Sequence, residues 1–198
     1  PILWHLMRYY AHYGHTDFVL CLGYRGDLIS EYFLKYNECM SNDFTLSEGG
    51  RRIELHSKDI DDWRITFVDT GLHSNIGQRL LRVREHLRGE DVFLANYADG
   101  LSDLPLDEHV ADFHRKKVVA SFTAVRTWQS FHTVQLGDDG YVTGIGAAAD
   151  SEQLINGGYF VLNQRIFDVI EEGEELVEQP FQRLIARRLL GVFPYRGF

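Results

Sequence analysis

The sequence predicts an α/β fold with a mostly parallel sheet and inserted β-hairpins. Two observations carry that expectation. Short apolar runs ending on Asp, Gly or Asn alternate with amphipathic segments of helical period, which favours α/β over a sandwich or a bundle. Two Gly-containing turns, Glu48-Gly49-Gly50 and Asp138-Asp139-Gly140, lie between runs that read as hairpin strands. The 198 residues give room for one sizeable domain and contain no repeat, linker or evident boundary.

Taken in order, residues 1–13 read as a helix, with Pro1 suited to a first helical position and Ile2, Leu3, Leu6, Met7 and Tyr10 at helical spacing. Gly14 stops it. Residues 17–22 form a short apolar strand, and Gly23-Tyr24-Arg25-Gly26 turns the chain into a helix that Asp27 is placed to cap. This α–β–α succession starts in the middle of its pattern, since a doubly wound sheet calls for a strand before the first helix. Residues 42–47 and 51–56 pair as a hairpin, residues 64–68 form a strand, and residues 76–87 a helix. A strand over 92–97, a helix over 106–116 and a strand over 118–125 follow. A second hairpin spans 132–136 and 141–145, and Gly146 to Asp150 is featureless. The strand at 155–162 opens on two glycines, which mark a bulge or a place where a ligand approaches the backbone. Helices over 164–170 and 178–187 and a last strand from Leu189 complete the reading.

A formal net charge of -9 argues against non-specific binding to nucleic acid or an anionic membrane. No apolar run approaches the roughly 20 residues needed to span a bilayer, and no signal peptide is legible. Cys21 lies in an apolar strand and reads as a buried free thiol; with Cys39 it has no metal-ligand spacing, which fits a reducing cytoplasm. The nine histidines form no H-x-x-x-H pair, and His109 and His114 are five apart, so zinc chemistry is not indicated. Tyr9, Tyr10 and Tyr13 read either as an interface, hence a homo-oligomer, or as core.

The candidate chemistry centres on Asp99. The strand from Asp91 ends at Tyr97-Ala98-Asp99-Gly100, a carboxylate followed at once by glycine. Ligands collect beyond the carboxyl ends of strands in open α/β sheets, and a carboxylate there suits a metal held against phosphate oxygens. The same residue can instead start a turn or cap the helix near Leu106. Arg79 sits in the first turn of its helix, where a cation opposes the helix dipole at a cost an anionic ligand would offset; a solvated surface arginine is the other reading.

The ordered series Pro1-Ile-Leu-Trp-His5, Gly23-Tyr-Arg-Gly26, Glu31-Tyr-Phe33, Trp63 to Gly71, Gly77-x-Arg79-Leu80, Tyr97 to Gly100 and Ile155 to Leu162 resembles the sugar-1-phosphate nucleotidyltransferases, most closely the glucose-1-phosphate cytidylyltransferase branch. The resemblance covers nearly the whole chain. It implies a three-layer, Rossmann-like sheet of the nucleotide-diphospho-sugar transferase type, in a single domain over 1–198 that is cut short at both ends. It implies Mg²⁺ as cofactor, bound by Asp99; a nucleotide beside Gly77 and Arg79, with Asp99 and Arg79 as the catalytic pair; and a sugar against Asn156, Gly157 and Gly158. The partners implied are CTP and glucose 1-phosphate, and the products CDP-glucose and pyrophosphate. The setting implied is cytoplasmic nucleotide-sugar and polysaccharide biosynthesis, with no nucleic-acid or membrane partner.

Three departures accompany the resemblance. The family's Gly-x-Gly-Thr-Arg loop and the Lys-Pro after it would precede Pro1, and its second metal-binding aspartate would follow Phe198. Its Glu-Lys-Pro falls opposite Gly146-Ala147-Ala148, and its preceding aromatic-Gly reads Phe131-His132. These departures keep two alternatives open: a non-catalytic nucleotide-sugar-binding homologue, and a nucleotidyltransferase using UTP or dTTP. A third is a metal-dependent glycosyltransferase using Asp99 with Asp103.

Overall fold

The alternation of apolar runs and amphipathic segments resolves into helices and strands of both kinds in a computed structural model, which describes residues 1–126, 132–147 and 154–197. The chain divides into two units, Pro1–Glu90 with Phe167–Gln182, and Asp91–Ile166 with Arg183–Phe198.

In the first unit, helix α1 (Ile2–His12) buries Leu6, Met7 and Tyr10, the stripe that its helical period defines. Tyr10 is therefore core, while Tyr9 and Tyr13 are half-buried and meet edge to face with ring centroids 5.3 Å apart. Strand β1 (Asp17–Leu22) pairs in parallel with β4 (Arg64–Asp69), in register from Asp17↔Arg64 to Leu22↔Asp69. Between them come helix α2 (Gly26–Leu34) and the antiparallel hairpin of β2 (Phe44–Ser47) and β3 (Arg52–Leu55). Helix α3 (Ile76–Val83) then follows, closed at its start by a reciprocal capping box between Asn75 and Gln78.

Several expectations change here. Asp27 is not a cap: α2 begins one residue earlier, after Arg25 in the left-handed region at φ 54°, and no side chain caps it. Asp27 instead sits in the first turn, where its charge still favours the helix dipole. Cys21 is exposed, because β1 pairs on one side only among the described residues and none of its positions is fully buried. The helix expected over 76–87 ends at Val83 and tightens into a 3₁₀ turn over Arg84–Leu87.

The second unit is built on a four-stranded sheet in the order β10-β6-β9-β5. Strand β5 spans Val92–Asn96, β6 Ala120–Arg126, β9 Leu154–Asn163 and β10 Leu190–Tyr195. The first, second and last of these run in one direction, and β9 lies antiparallel between β5 and β6. The α/β class is as expected, with this one reversed strand inside the sheet. Tyr159 to Leu162 of β9 are buried, since a strand flanked on both sides has little water to meet. Helix α4 (Leu106–Lys116) turns Leu106, His109 and Phe113 inward.

Strands β7 (His132–Leu136) and β8 (Val142–Ala147) form the second hairpin, so Gly146 and Ala147 extend a strand where no feature was expected. Phe131, Ala148, Ala149 and Asp150 lie outside the described residues. Gln164–Asp168 is a 3₁₀ turn rather than an α-helix, and α5 (Gln179–Ala186) precedes β10.

His109 gives α4 an acid-sensitive packing. It is fully buried, its Nε2 lies 3.1 Å from the Ser121 hydroxyl, and its ring stacks on Phe193 at 5.1 Å. Its Nδ1 is buried without a hydrogen bond among the described residues. Burial holds its pKa down at about 4, with Asp112 pulling the other way and Lys116 adding to the depression. The folded chain thus keeps this ring neutral while an unfolded chain protonates it near pH 6.5. Stability from this group is complete above pH 6.5 and is lost as pH falls towards 4, to a total of about 3 kcal/mol. Urea unfolding of the wild type and of His109→Leu at pH 7.5 and 4.5 checks this, and the variant should show the smaller acid loss.

Candidate active site

Asp99 is exposed in the turn that leaves the carboxyl end of β5. Its carboxylate makes no hydrogen bond or ion pair among the described residues. It does not cap α4, whose start at Pro105 has no side-chain cap. A strand-end carboxylate left free in this way is a hard oxygen donor facing solvent, the type of ligand that Mg²⁺ takes singly or in pairs alongside phosphate oxygens. Three or more His, Cys, Asp or Glu residues do not cluster as a metal cage among the described residues.

The turn itself is closely held. The Tyr97 amide donates to the Gly158 carbonyl at 3.1 Å, and Asn96 Nδ2 donates to the same oxygen at 3.1 Å. Asn156 Nδ2 meets the Tyr97 hydroxyl at 3.2 Å, and its Oδ1 accepts from the Gly158 amide at 2.9 Å. The Tyr159 hydroxyl donates to the Gly100 carbonyl at 3.1 Å. Burial pushes that phenol up to about 12, with Asn96 pulling down, so it remains a donor at neutral pH. Asn156, Gly157 and Gly158, widely separated from Asp99 in sequence, are thereby brought against its turn.

The two glycines are where β9 bulges against β6, the register shifting between Phe122 and Ala124. Each has a steric reason. Gly158 has φ +79°, and a Cβ there would meet the Tyr97 ring at 2.7 Å; one on Gly157 would meet the Thr123 hydroxyl oxygen at 2.7 Å. That hydroxyl is buried without a partner among the described residues.

Gly77 and Arg79 belong to the first unit. Gly77 is buried, and a Cβ on it would come 2.3 Å from the Glu174 carbonyl oxygen, so close packing alone demands glycine. Arg79 is not a solvated surface side chain. Its Nη1 donates to the Thr70 hydroxyl at 2.6 Å and to the Leu22 carbonyl at 3.1 Å, and its guanidinium covers Gly23 where any side chain would collide. It thus ties the ends of β1 and β4 together.

Asp103, the other acid near this turn, accepts from the Tyr195 hydroxyl at 2.7 Å, so one of its oxygens is already engaged. Tyr97, Tyr159 and Thr70 are the contributors that reading the sequence missed. The first two flank motif residues already singled out, and alternation along β9 was the available signal. Thr70, fully buried, lies inside the Trp63 to Gly71 series, which gave it no role of its own.

The mixed α/β fold that carries this turn recurs among solved structures. The crystal structure of UDP-glucose pyrophosphorylase complexed with UDP-glucose superimposes with a TM-score of 0.67 at 13% identity, covering 100% of this chain and 80% of that one. At that identity the likeness is one of fold. No family model matches the chain. Among curated relatives, the glucose-1-phosphate cytidylyltransferase of Salmonella typhi is 37% identical over 203 residues, and the probable glucose-1-phosphate cytidylyltransferase of Bacillus subtilis (strain 168) is 34% identical over 201. Each alignment covers 100% of this chain and 77% of the relative. The chain belongs to the glucose-1-phosphate cytidylyltransferase family, a family of sugar-1-phosphate nucleotidyltransferases.

The steric roles of the glycines are separable from any role with ligands. Gly77→Ala and Gly158→Ala should each destabilise by about 1–3 kcal/mol, the range for overpacking. Gly100→Ala, which meets nothing within 4 Å, should stay within about 0.5 kcal/mol of wild type. Chemical denaturation of the three variants gives the comparison.

Proposed function

We propose that this enzyme transfers a cytidylyl group from CTP to glucose 1-phosphate, with Mg²⁺ held by Asp99, giving CDP-glucose and pyrophosphate. The observation that carries the reading is the free Asp99 carboxylate, exposed on a turn that β9 holds in place. The names of the curated relatives support the sugar phosphate and the base.

A phosphate oxygen of glucose 1-phosphate attacks the α-phosphorus of CTP. The bond from that phosphorus to the bridging oxygen breaks, and the electron pair leaves on pyrophosphate. Both substrates are polyanions, so the barrier is largely one of charge and alignment, and no protein nucleophile is required. Mg²⁺, when bound, would offset the negative charge on the phosphate oxygens. Asp99 supplies its anionic oxygen ligand. Arg79 is assigned to the nucleotide: its Nη1 is spent on Thr70 and Leu22, which fixes the plane of the guanidinium and leaves Nη2 and Nε to donate. Asn156, Gly157 and Gly158 are assigned to the sugar, with the Asn156 amide already oriented by Tyr97 and Gly158.

Asp99→Asn keeps the shape and removes the charge. It should lower Mg²⁺-dependent pyrophosphate release by roughly 100-fold or more, in line with several kcal/mol of lost charge stabilisation, with an unchanged melting temperature. Undiminished turnover would refute the assignment. The base is tested by initial rates with CTP, UTP, dTTP and ATP at fixed glucose 1-phosphate. CTP should give the highest kcat/KM, and a preference for UTP or dTTP would correct the base while leaving the reaction class intact.

A further inference from the structure

The turn carrying Asp99 is gripped from both faces of β9. Successive side chains of a strand point to opposite faces. On one face, the Tyr97 ring lies against Gly158 and meets the Phe160 ring edge to face at 5.3 Å. Tyr159, between those two positions, projects to the other face and returns its hydroxyl to the Gly100 carbonyl, one residue past Asp99. Tyr159 is 3% exposed, so the phenol is locked by packing before it makes that bond. A second bond on that residue's backbone runs from the Gly100 amide to the Tyr97 carbonyl, and it is long at 3.5 Å.

We infer that Tyr159 is a positioning residue for the metal-binding aspartate: its hydroxyl fixes the backbone orientation of the Asp99–Gly100 turn, and so the direction in which the Asp99 carboxylate is offered. The inference rests on the proposed role of Asp99. Tyr159 touches neither metal nor substrate in this scheme. It acts as the outer partners of metal ligands do, by holding a ligand in the geometry it needs when bound.

Tyr159→Phe removes the hydroxyl and preserves the buried ring. Mn²⁺ with CTP, in the absence of sugar phosphate, is titrated by electron paramagnetic resonance, and the Tyr159→Phe variant should bind Mn²⁺ about 10-fold more weakly, the lower end for loss of an outer-shell partner. Its kcat should fall while KM for glucose 1-phosphate holds. Amide hydrogen exchange should quicken over residues 97–103 and not along β5 and β9. Replacement of Tyr159 by 4-aminophenylalanine, which returns a donor to the same place, should restore Mn²⁺ affinity. Unchanged Mn²⁺ binding and exchange in Tyr159→Phe would overturn the inference. So would faster exchange across the whole sheet or loss of the fold, since the hydroxyl would then support the sheet and not the turn. Asp99→Asn in the same titration keeps the two readings apart. If it leaves Mn²⁺ affinity intact, the role of Asp99 fails; if it abolishes binding while Tyr159→Phe does nothing, only the positioning role fails.

Discussion

The Gly158 carbonyl is the acceptor on which the candidate site depends. It takes hydrogen bonds from the Tyr97 amide and from Asn96 Nδ2, and in doing so joins the end of β5 to the bulged start of β9. A buried or half-buried carbonyl left unpaired is expensive, so these donors are required as much as they are useful. The consequence runs outward. With Gly158 at φ +79°, the Tyr97 ring fits where a side chain would be, Asn156 reaches its hydroxyl, and the next residue along reaches Gly100. The aspartate between them stays exposed while Tyr97, Asn156 and Tyr159 bond within the turn and the start of β9.

The first unit uses the same device with different chemistry. Thr70 is fully buried at the end of β4, and its hydroxyl donates to the Leu22 carbonyl at the end of β1 while receiving a bond from Arg79. Arg82 reaches the Thr70 carbonyl as well. A guanidinium held by fixed acceptors loses less freedom when it meets an anion than one waving in solvent. In the first unit the Arg79 guanidinium is therefore oriented by neutral neighbours, and those neighbours are themselves set by strand pairing.

Reading the sequence located β1, α4 and both hairpins, because these depend on local patterns: a bounded apolar run, a stripe at helical spacing, a glycine turn. It also singled out Asp99 and the glycine pair, through their positions at strand ends. What it missed depends on contacts between residues far apart in the chain. Cys21 reads as buried from its apolar neighbours, yet burial is decided by what lies alongside β1. Asp27 satisfies the rule for a cap, but Arg25 enters the left-handed region and the helix starts before it. The reversed direction of β9 is invisible to periodicity, since a buried strand has the same composition whichever way it runs. Gly77 looked like a ligand loop and has, in addition, a packing reason in the Glu174 carbonyl that no local pattern reveals.

The placement of β9 between β5 and β6 also sets an order of events during synthesis. Gly100 and Tyr159 are 59 residues apart, and at about 5–20 residues per second several seconds separate their emergence from the ribosome. During that interval β5 and β6 have no common neighbour, and their open edges are of the kind that chaperones shield or that other chains can capture. The turn that presents the aspartate acquires its shape only when the strand from Leu154 slides between them. Insertion of β9 closes the gap between β5 and β6 and shapes the turn together, while the other edge of β6 stays open until β10 follows.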